Sequence, residues 1–338
     1  MPPQATYHFP RGFLWGTSTA AHQVEGHNTN NQWWKWEQEG HTNGTSGAAC
    51  DWWAGRWRED FDRAAETGQN AHRMSVEWSR IQPTPDTWDE TALEKYRTML
   101  RGLRERGMTA MVTLHHFTDP LWLTEMGGWE DPQVIPRFEK FVRKTVDALK
   151  EYCTLWCTVN EPNGYALNGY VGPIGEWPPG KHDVGLSYRV LANLVRGHAA
   201  AYRLIHALQP EARVGFALNF RDLKPHRSWF PLDRFATANA IKALNTAFPS
   251  ALATGVMSHP LGHIAIPEAK GTQDYFGFNY YTRNFVSFDL RSPKTLFVRI
   301  FFAPGDDLSS SGFLANVPDS FFAGLKWVAR TFPNLPIL

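Results

Sequence analysis

The chain has 338 residues, 43% of them hydrophobic, enough to build one large α/β domain or two ordinary ones. Lys+Arg number 34 against Asp+Glu 33, so the formal charge is +1 and no global field recruits nucleic acid or an anionic membrane surface. Cys50, Cys153 and Cys157 form an odd, sparse set without zinc-site spacing or a disulfide framework, which predicts free thiols in a reducing compartment. The opening Met1-Pro2-Pro3-Gln4 has no basic segment leading into an apolar one, and no apolar run reaches membrane length. A cytoplasmic enzyme is the expectation, and the Asn43-Gly44-Thr45 sequon then carries no meaning. Aromatic residues make up 14%, with Trp 15; tryptophan faces stack on sugar rings, but most tryptophan in any protein is core.

In chain order, strand-like and helix-like segments alternate without a linker, repeat or low-complexity tract. This predicts βα units and a parallel sheet in a single domain over 1–338. Residues 13–18 read as a first strand ending near 21–26, and a long loop rich in Asn, Gly and Trp covers roughly 27–56. A short helix over 57–68 stops at Gly68, and 71–78 reads as strand two. Helix two runs from about 89 to 106, with Ala92, Leu93, Tyr96, Leu100 and Leu103 on one stripe and Gly107 as its cap. Strand three, 109–114, ends in His115-His116, and a helix follows over about 132–152. After strand four come a loop over 164–183 that contains 175–180, and a helix over about 187–208 ended by Pro210. Strand five is 213–219, the region to about 260 reads as helical with loops, and strand six is 275–281. A last helix covers about 319–331, and Leu335-Pro336-Ile337-Leu338 resembles the first residues of a seventh strand.

Strand four carries the strongest signal. The apolar run Leu155, Trp156, Cys157 and Val159 ends in Asn160-Glu161-Pro162, a buried strand delivering a carboxylate at its C-terminal tip, where a parallel barrel keeps its chemistry. Asn160 can bond a substrate hydroxyl, Pro162 stiffens the strand exit and removes a competing backbone donor, and Glu161 suits general acid/base work. On the tripeptide alone, an ordinary strand end with an exposed Glu stays open. The other strand ends add weight: Gln23 after strand one, Arg73 in strand two, His116 after three, Asn219 after five and Tyr281 after six. A barrel would converge them on one pocket.

The segments Phe13-Leu14-Trp15-Gly16 with Gln23-Val24-Glu25-Gly26, Arg73-Met74-Ser75-Val76-Glu77-Trp78-Ser79-Arg80-Ile81, Thr113-Leu114-His115-His116-Phe117, Thr158-Val159-Asn160-Glu161-Pro162 and Phe276-Gly277-Phe278-Asn279-Tyr280-Tyr281-Thr282 resemble the signatures of family 1 glycoside hydrolases, the β-glucosidase family. The resemblance spans nearly the whole chain, in the family's order. It implies a (β/α)8 TIM barrel, with about six βα units and the start of strand seven present, that hydrolyses small β-glucosides or β-galactosides with retention and without metal or cofactor. In that mechanism a general acid protonates the leaving oxygen while a second carboxylate, ~5 Å away, attacks the anomeric carbon. By position, Glu161 matches the acid/base, Gln23, His116 and Asn160 match residues that hold the glycone hydroxyls, and Arg73 and Tyr281 match groups that orient the nucleophile and keep it ionised.

Two departures, and one shared acidic position, qualify the resemblance. The family's nucleophilic glutamate sits in an Ile-Thr-Glu-Asn-Gly type of motif directly after a segment like Asn334-Leu335-Pro336-Ile337-Leu338, so the chain is expected to stop short of it and of strand eight. Glu77 is expected to be structural, since similar family members carry Glu there without using it as nucleophile. Phe117 stands where the family more often has Trp, which alters one aromatic pocket contact. Three readings of the C-terminal end follow: a β-glycosidase cut short, a sugar-binding barrel without turnover, or one half of a split enzyme. Open parallel edges and an uncovered apolar interior predict self-association.

Overall fold

The computed structural model describes residues 8–47, 49–172 and 177–338, so the opening residues 1–7 and the 175–176 part of the predicted 175–180 loop lie outside the described residues. The elements are β1 (Gly16–Ser18), α1 (Ala21–Val24), α2 (Gln32–Gln38), α3 (Trp57–Glu66), β2 (Ala71–Ser75), α4 (Trp78–Ile81), α5 (Glu90–Glu105), β3 (Thr109–His115), α6 (Leu121–Glu125), α7 (Val134–Leu149) and β4 (Leu155–Asn160). The second half continues with α8 (Pro162–Tyr170), α9 (Val184–Leu208), β5 (Arg213–Pro225), α10 (Pro231–Ile241), α11 (Ala247–Thr254), β6 (Val256–His259), β7 (Gly262–Ala265), β8 (Gly277–Phe288), β9 (Val298–Phe301) and α12 (Pro318–Thr331).

One sheet carries the order β1-β2-β3-β4-β5-β8-β9, parallel from β1 to β8 and closed by antiparallel β9. The chain returns to the far side of β8 at its end. Phe276 pairs in parallel with Ile337, and the Phe278 amide donates to the Leu338 carbonyl at 2.8 Å, so 335–338 does begin a further strand. The result is a partial (β/α) barrel with helices on its outer face. Close strand approach is set by Gly16 and Gly277, where an added Cβ would sit 2.1 Å from the Ala71 carbonyl oxygen and 2.2 Å from that of Phe216.

Helix starts follow local capping chemistry. Asp89 accepts from the Thr91 and Ala92 amides at 2.8 and 3.0 Å and opens α5, whose buried stripe is Ala92, Leu93, Tyr96, Met99, Leu100 and Leu103. Asp183 does the same for α9 through the Leu186 amide at 2.8 Å. Between strands and helices the core is strongly aromatic, with Trp78 stacked on Phe141 at 4.8 Å and Trp129 and Phe138 fully buried beside them.

The structure corrects several sequence expectations. The 27–56 loop contains α2, because Asn31 caps the Trp34 amide at 2.9 Å. Strand two ends at Ser75, and Glu77 is no strand residue but the cap of α4, accepting from the Ser79 amide and hydroxyl. The first part of the expected 164–183 loop, up to Tyr170, belongs to α8, entered through Pro162 at its first turn. The region to 260 is helical but ends in the β6–β7 hairpin, and β5 and β8 run six and seven residues past their predicted ends, at Pro225 and Phe288, because they pair with each other in parallel as far as Pro225 and Val286 and β8 then pairs with β9. Pairing partners distant in sequence decide those lengths, and no local pattern displays them.

Two buried histidines tie strands to the segments packed against them. His72 meets the Thr17 and Thr19 hydroxyls of the β1 segment at 2.9 and 3.2 Å, and His198 lies between the Thr158 hydroxyl and the Thr272 carbonyl, both at 2.6 Å. Burial pushes both imidazoles down to about 4, so both are uncharged in the fold. In the unfolded chain they take up protons near ~6.5. Their contribution to stability is therefore fully present above that pH and is lost as pH falls toward about 4. Urea melts across this window should show unfolding free energy falling on acidification, by up to about 1.4 kcal/mol per pH unit for each histidine.

Candidate active site

The C-terminal tip of β4 is shaped to present one carboxylate. The β4–β5 register shifts between Cys157 and Asn160, and Glu161 then adopts a left-handed backbone, φ 45° and ψ 57°, a conformation a non-glycine residue rarely holds without a surrounding that enforces it. Its amide is tied to the Ala217 carbonyl at 2.7 Å. The side chain, 3% exposed, is met by three neutral donors: Asn279 Nδ2 at 2.8 Å and Tyr281 Oη at 2.9 Å on Oε1, and Asn219 Nδ2 at 2.8 Å on Oε2.

These donors come from neighbouring strand ends. Asn219 on β5 and Asn279 on β8 are register partners, and Tyr281 lies two residues beyond Asn279, on the same face of its strand. Burial first, and the Glu161 carboxylate second, push the Tyr281 phenol upward, so it remains a protonated donor at neutral pH. Arg73 on β2 reaches across the barrel, with Nη2 2.6 Å from Asn160 Oδ1 and Nε 2.9 Å from Thr113 Oγ1, while Asn279 Nδ2 also donates to Asn160 Oδ1 at 3.2 Å. Arg221 is a second guanidinium whose charge is felt by this carboxylate; burial lowers it, and it is held on Asn284 Oδ1 at 3.0 Å.

Four of the predicted site residues, Arg73, Asn160, Glu161 and Tyr281, thus form one hydrogen-bonded cluster. The structure sets Tyr281 on Glu161 itself and Arg73 on Asn160. His116 stands just past β3, partly buried, with Nδ1 lacking a hydrogen-bond partner among the described residues. Enclosure, reinforced by Arg73 and His115, pushes it well below 6.5 and keeps the ring neutral, able to accept from a hydroxyl. Gln23 lies on α1 with an exposed side chain and makes no hydrogen bond to the cluster among the described residues. Asn279 and Arg221 were not singled out from the sequence. For Asn279 the signal was present in its i, i+2 relation to Tyr281, whereas Arg221 lies in the part of β5 beyond the predicted strand.

The turn after β3 is held by a buried acid. Asp119 accepts from Tyr165 Oη at 2.6 Å, Trp129 Nε1 at 3.0 Å and Gln32 Nε2 at 3.2 Å, and it contacts His115 Nε2 at 3.0 Å. Gln32 also donates to the Phe117 carbonyl at 2.8 Å, holding Phe117 at φ 71°, where its ring meets Trp177 edge-on at 4.7 Å and Trp177 meets Trp33 at 5.4 Å. An aromatic rim therefore adjoins His116. Glu77 is fully buried and bonded to Asn28, Ser79 and Thr118, away from this cluster, in keeping with the structural role expected for it.

A buried strand-tip glutamate met by amide and phenol donors can take part in proton transfer. The sequence model described as glycosyl hydrolase family 1 matches residues 5–299. The chain belongs to that family. It is accordingly a glycoside hydrolase by descent, of a family that works with retention of configuration. Beta-glucosidase A of Thermotoga maritima is 28% identical over 311 residues, covering 86% of this chain and 69% of that protein. A beta-galactosidase of Pyrococcus woesei is 26% identical, covering 83% of this family 1 chain and 68% of that protein. Among solved structures, a beta-glycosidase from Pyrococcus horikoshii superposes with a TM-score of 0.88 at 33% identity, covering 97% of this chain and 75% of that one.

Proposed function

We propose that this family 1 chain takes small β-glucosides or β-galactosides, with Glu161 as the general acid/base. The observation that carries the reading is Glu161 itself: a buried carboxylate at the tip of β4, in a left-handed backbone, aimed by Asn219, Asn279 and Tyr281. In the first half-reaction Glu161 gives its proton to the glycosidic oxygen as that bond breaks; in the second it takes a proton from the attacking water. In this reading Asn160, the neutral His116 and Gln23 on α1 bond glycone hydroxyls, and the Trp33–Phe117–Trp177 rim offers faces to the aglycone. Arg73 would supply positive charge that keeps a second carboxylate ionised, and Tyr281, whose hydroxyl donates to Glu161 here, would turn to that carboxylate to do the same.

Retention also needs that second carboxylate ~5 Å from the first. Among the described residues no other carboxylate is hydrogen-bonded to the Glu161 cluster, which favours a second reading, sugar binding without turnover by these 338 residues alone. Phenyl β-glucoside offered to the 338-residue chain, and to the chain with a strand-seven and strand-eight segment carrying a Thr-Glu-Asn-Gly motif, separates the two. Glucose release only in the second case supports the acid/base assignment; no release in either sinks it.

No helix among the described residues is long and apolar enough to cross a membrane. A cytoplasmic setting is the proposal consistent with free thiols at Cys50, Cys153 and Cys157. A cleft of about 650 Å³ separates β1 from 336–338, and Phe13, Leu14 and Trp15 at that edge are 38%, 36% and 50% exposed. Apolar groups beside open strand edges promote association. Light scattering of the purified chain should report species larger than a monomer; a monodisperse monomer with a cooperative melt is the contrary result.

A further inference from the structure

Arg221 lies on β5 two residues past Asn219, the residue whose side-chain amide holds Glu161. Side chains alternate along this strand: Phe220 packs on Phe278 and Trp327, while Asn219 and Arg221 turn the other way, toward Glu161. The strands of a parallel barrel run outward to the mouth that holds the chemistry, so Arg221 stands farther out than Asn219, on the side from which a leaving group departs. Phe117 of the aromatic rim follows β3, and Arg221 is on β5, the other neighbour of β4. Rim and guanidinium thus flank the strand that carries Glu161.

Other cations in this part of the fold have carboxylate partners: Lys224 pairs with Asp222 at 3.0 Å, Arg227 with Asp233 at 2.8 Å, and Arg283 with Asp306. Arg221 forms no ion pair among the described residues. Its Nη1 donates to the Asn284 amide oxygen at 3.0 Å, a neutral partner, and the side chain is partly exposed, within reach of a ligand. Burial disfavours its charge, and Glu161 is the carboxylate whose field offsets that cost. The offset vanishes at the step where Glu161 acts. A general acid carries its proton until the glycosidic bond breaks, so with substrate bound Glu161 is neutral and Arg221 faces no anion. A guanidinium presents a fork of N–H donors that fits a carboxylate or a phosphate, and among the described residues only Nη1 of this fork is engaged. A negative charge on the departing group would restore the balance.

We propose that Arg221 is a specificity-determining residue for the leaving group, selecting β-glycosides whose aglycone carries a carboxylate or another anionic group. The inference rests on the reading of Glu161 as the acid/base of a glycoside site. A neutral aglycone leaves the guanidinium unpaired and is the poorer ligand, because specificity is a difference between two affinities.

Titration calorimetry of the 338-residue chain at neutral pH tests this, comparing phenyl β-glucoside with its meta- and para-carboxyphenyl analogues and with phenyl β-glucoside phosphorylated on the sugar. The expected result is that the better carboxyphenyl glucoside binds about tenfold more tightly than phenyl β-glucoside, the worth of one hydrogen bond to a charged group. Arg221→Gln should bring the two to equal affinity, and Arg221→Lys, which keeps the charge but not the fork, should retain part of the preference. Asn284→Asp leaves the guanidinium in place but gives it a carboxylate, and should also abolish the preference; that comparison stands even if Arg221→Gln fails to fold. Binding of neither carboxyphenyl glucoside above phenyl β-glucoside overturns the inference, as does a preference that survives both Arg221→Gln and Asn284→Asp. A gain through Arg221 confined to the sugar phosphate also overturns it, by placing the anion on the glycone. In each of these cases phenyl β-glucoside still binds and the glycoside site stands, whereas failure of every glucoside to bind sinks that site and the inference together.

Discussion

Replacing Glu161 by Gln is expected to lower kcat/KM toward phenyl β-glucoside by about a thousandfold, the middle of the range for loss of a positioned general acid, once the second carboxylate is present. The loss should depend on the leaving group. Phenoxide needs the proton as the bond breaks, whereas dinitrophenoxide leaves unaided, so glycosylation with the dinitrophenyl glucoside should be nearly unaffected and only the later attack of water slowed. A small anionic nucleophile such as azide, which needs no base, should then speed release of the sugar. Equal losses for both leaving groups would show that Glu161 acts through the structure and not as an acid. The substitution also has a local cost. Asn219, Asn279 and Tyr281 all point donors at the carboxylate, so an amide must turn its NH2 against one of them, at about 1–3 kcal/mol. Circular dichroism melts of the variant should therefore show a lowered Tm with an intact spectrum.

Asp119→Ala is the second large effect, on stability. Asp119 is fully buried and accepts from Tyr165, Trp129 and Gln32, so truncation takes the acceptor from three donors. At about 1–3 kcal/mol for each stranded group, the sum is on the order of 4 kcal/mol, a large share of the stability of an ordinary domain. Asp119→Asn keeps one acceptor oxygen and should lose less. Urea unfolding measures both; a loss below about 1 kcal/mol for Asp119→Ala would mean that the three donors find other partners. Because Gln32 ties Asp119 to the Phe117 carbonyl, the variant should also loosen the His116 turn and weaken glycoside binding before it unfolds the barrel.

The fold was legible where a segment's own pattern decides its state. The apolar runs at 109–115 and 155–160 are buried by neighbours on both faces and read as strands from composition, and the Asp89-capped stripe of α5 has the period of a helix with one face inward. Local patterns failed where pairing takes over. The extensions of β5 and β8 exist because each is the other's hydrogen-bond partner, and β6 and β7 are too short and mixed to stand out from the helices before them. The short helices α2, α4 and α8 follow caps or a proline entry, Asn31, Glu77 and Pro162, that become visible only once the flanking backbone is placed.

The same division holds at the site. The sequence by itself determined the carboxylate, its position at a strand tip and the residue types around it, because each is a property of one strand and its end. Which donors touch Glu161 was a tertiary matter. Asn219 and Asn279 are 60 residues apart and become neighbours only through the β5–β8 register, and the left-handed turn that aims Glu161 follows from a register shift between β4 and β5. Hydrogen-bond partners across a parallel sheet are set by strand order and register, which depend on the packing of the whole barrel and leave no trace in any short stretch of chain.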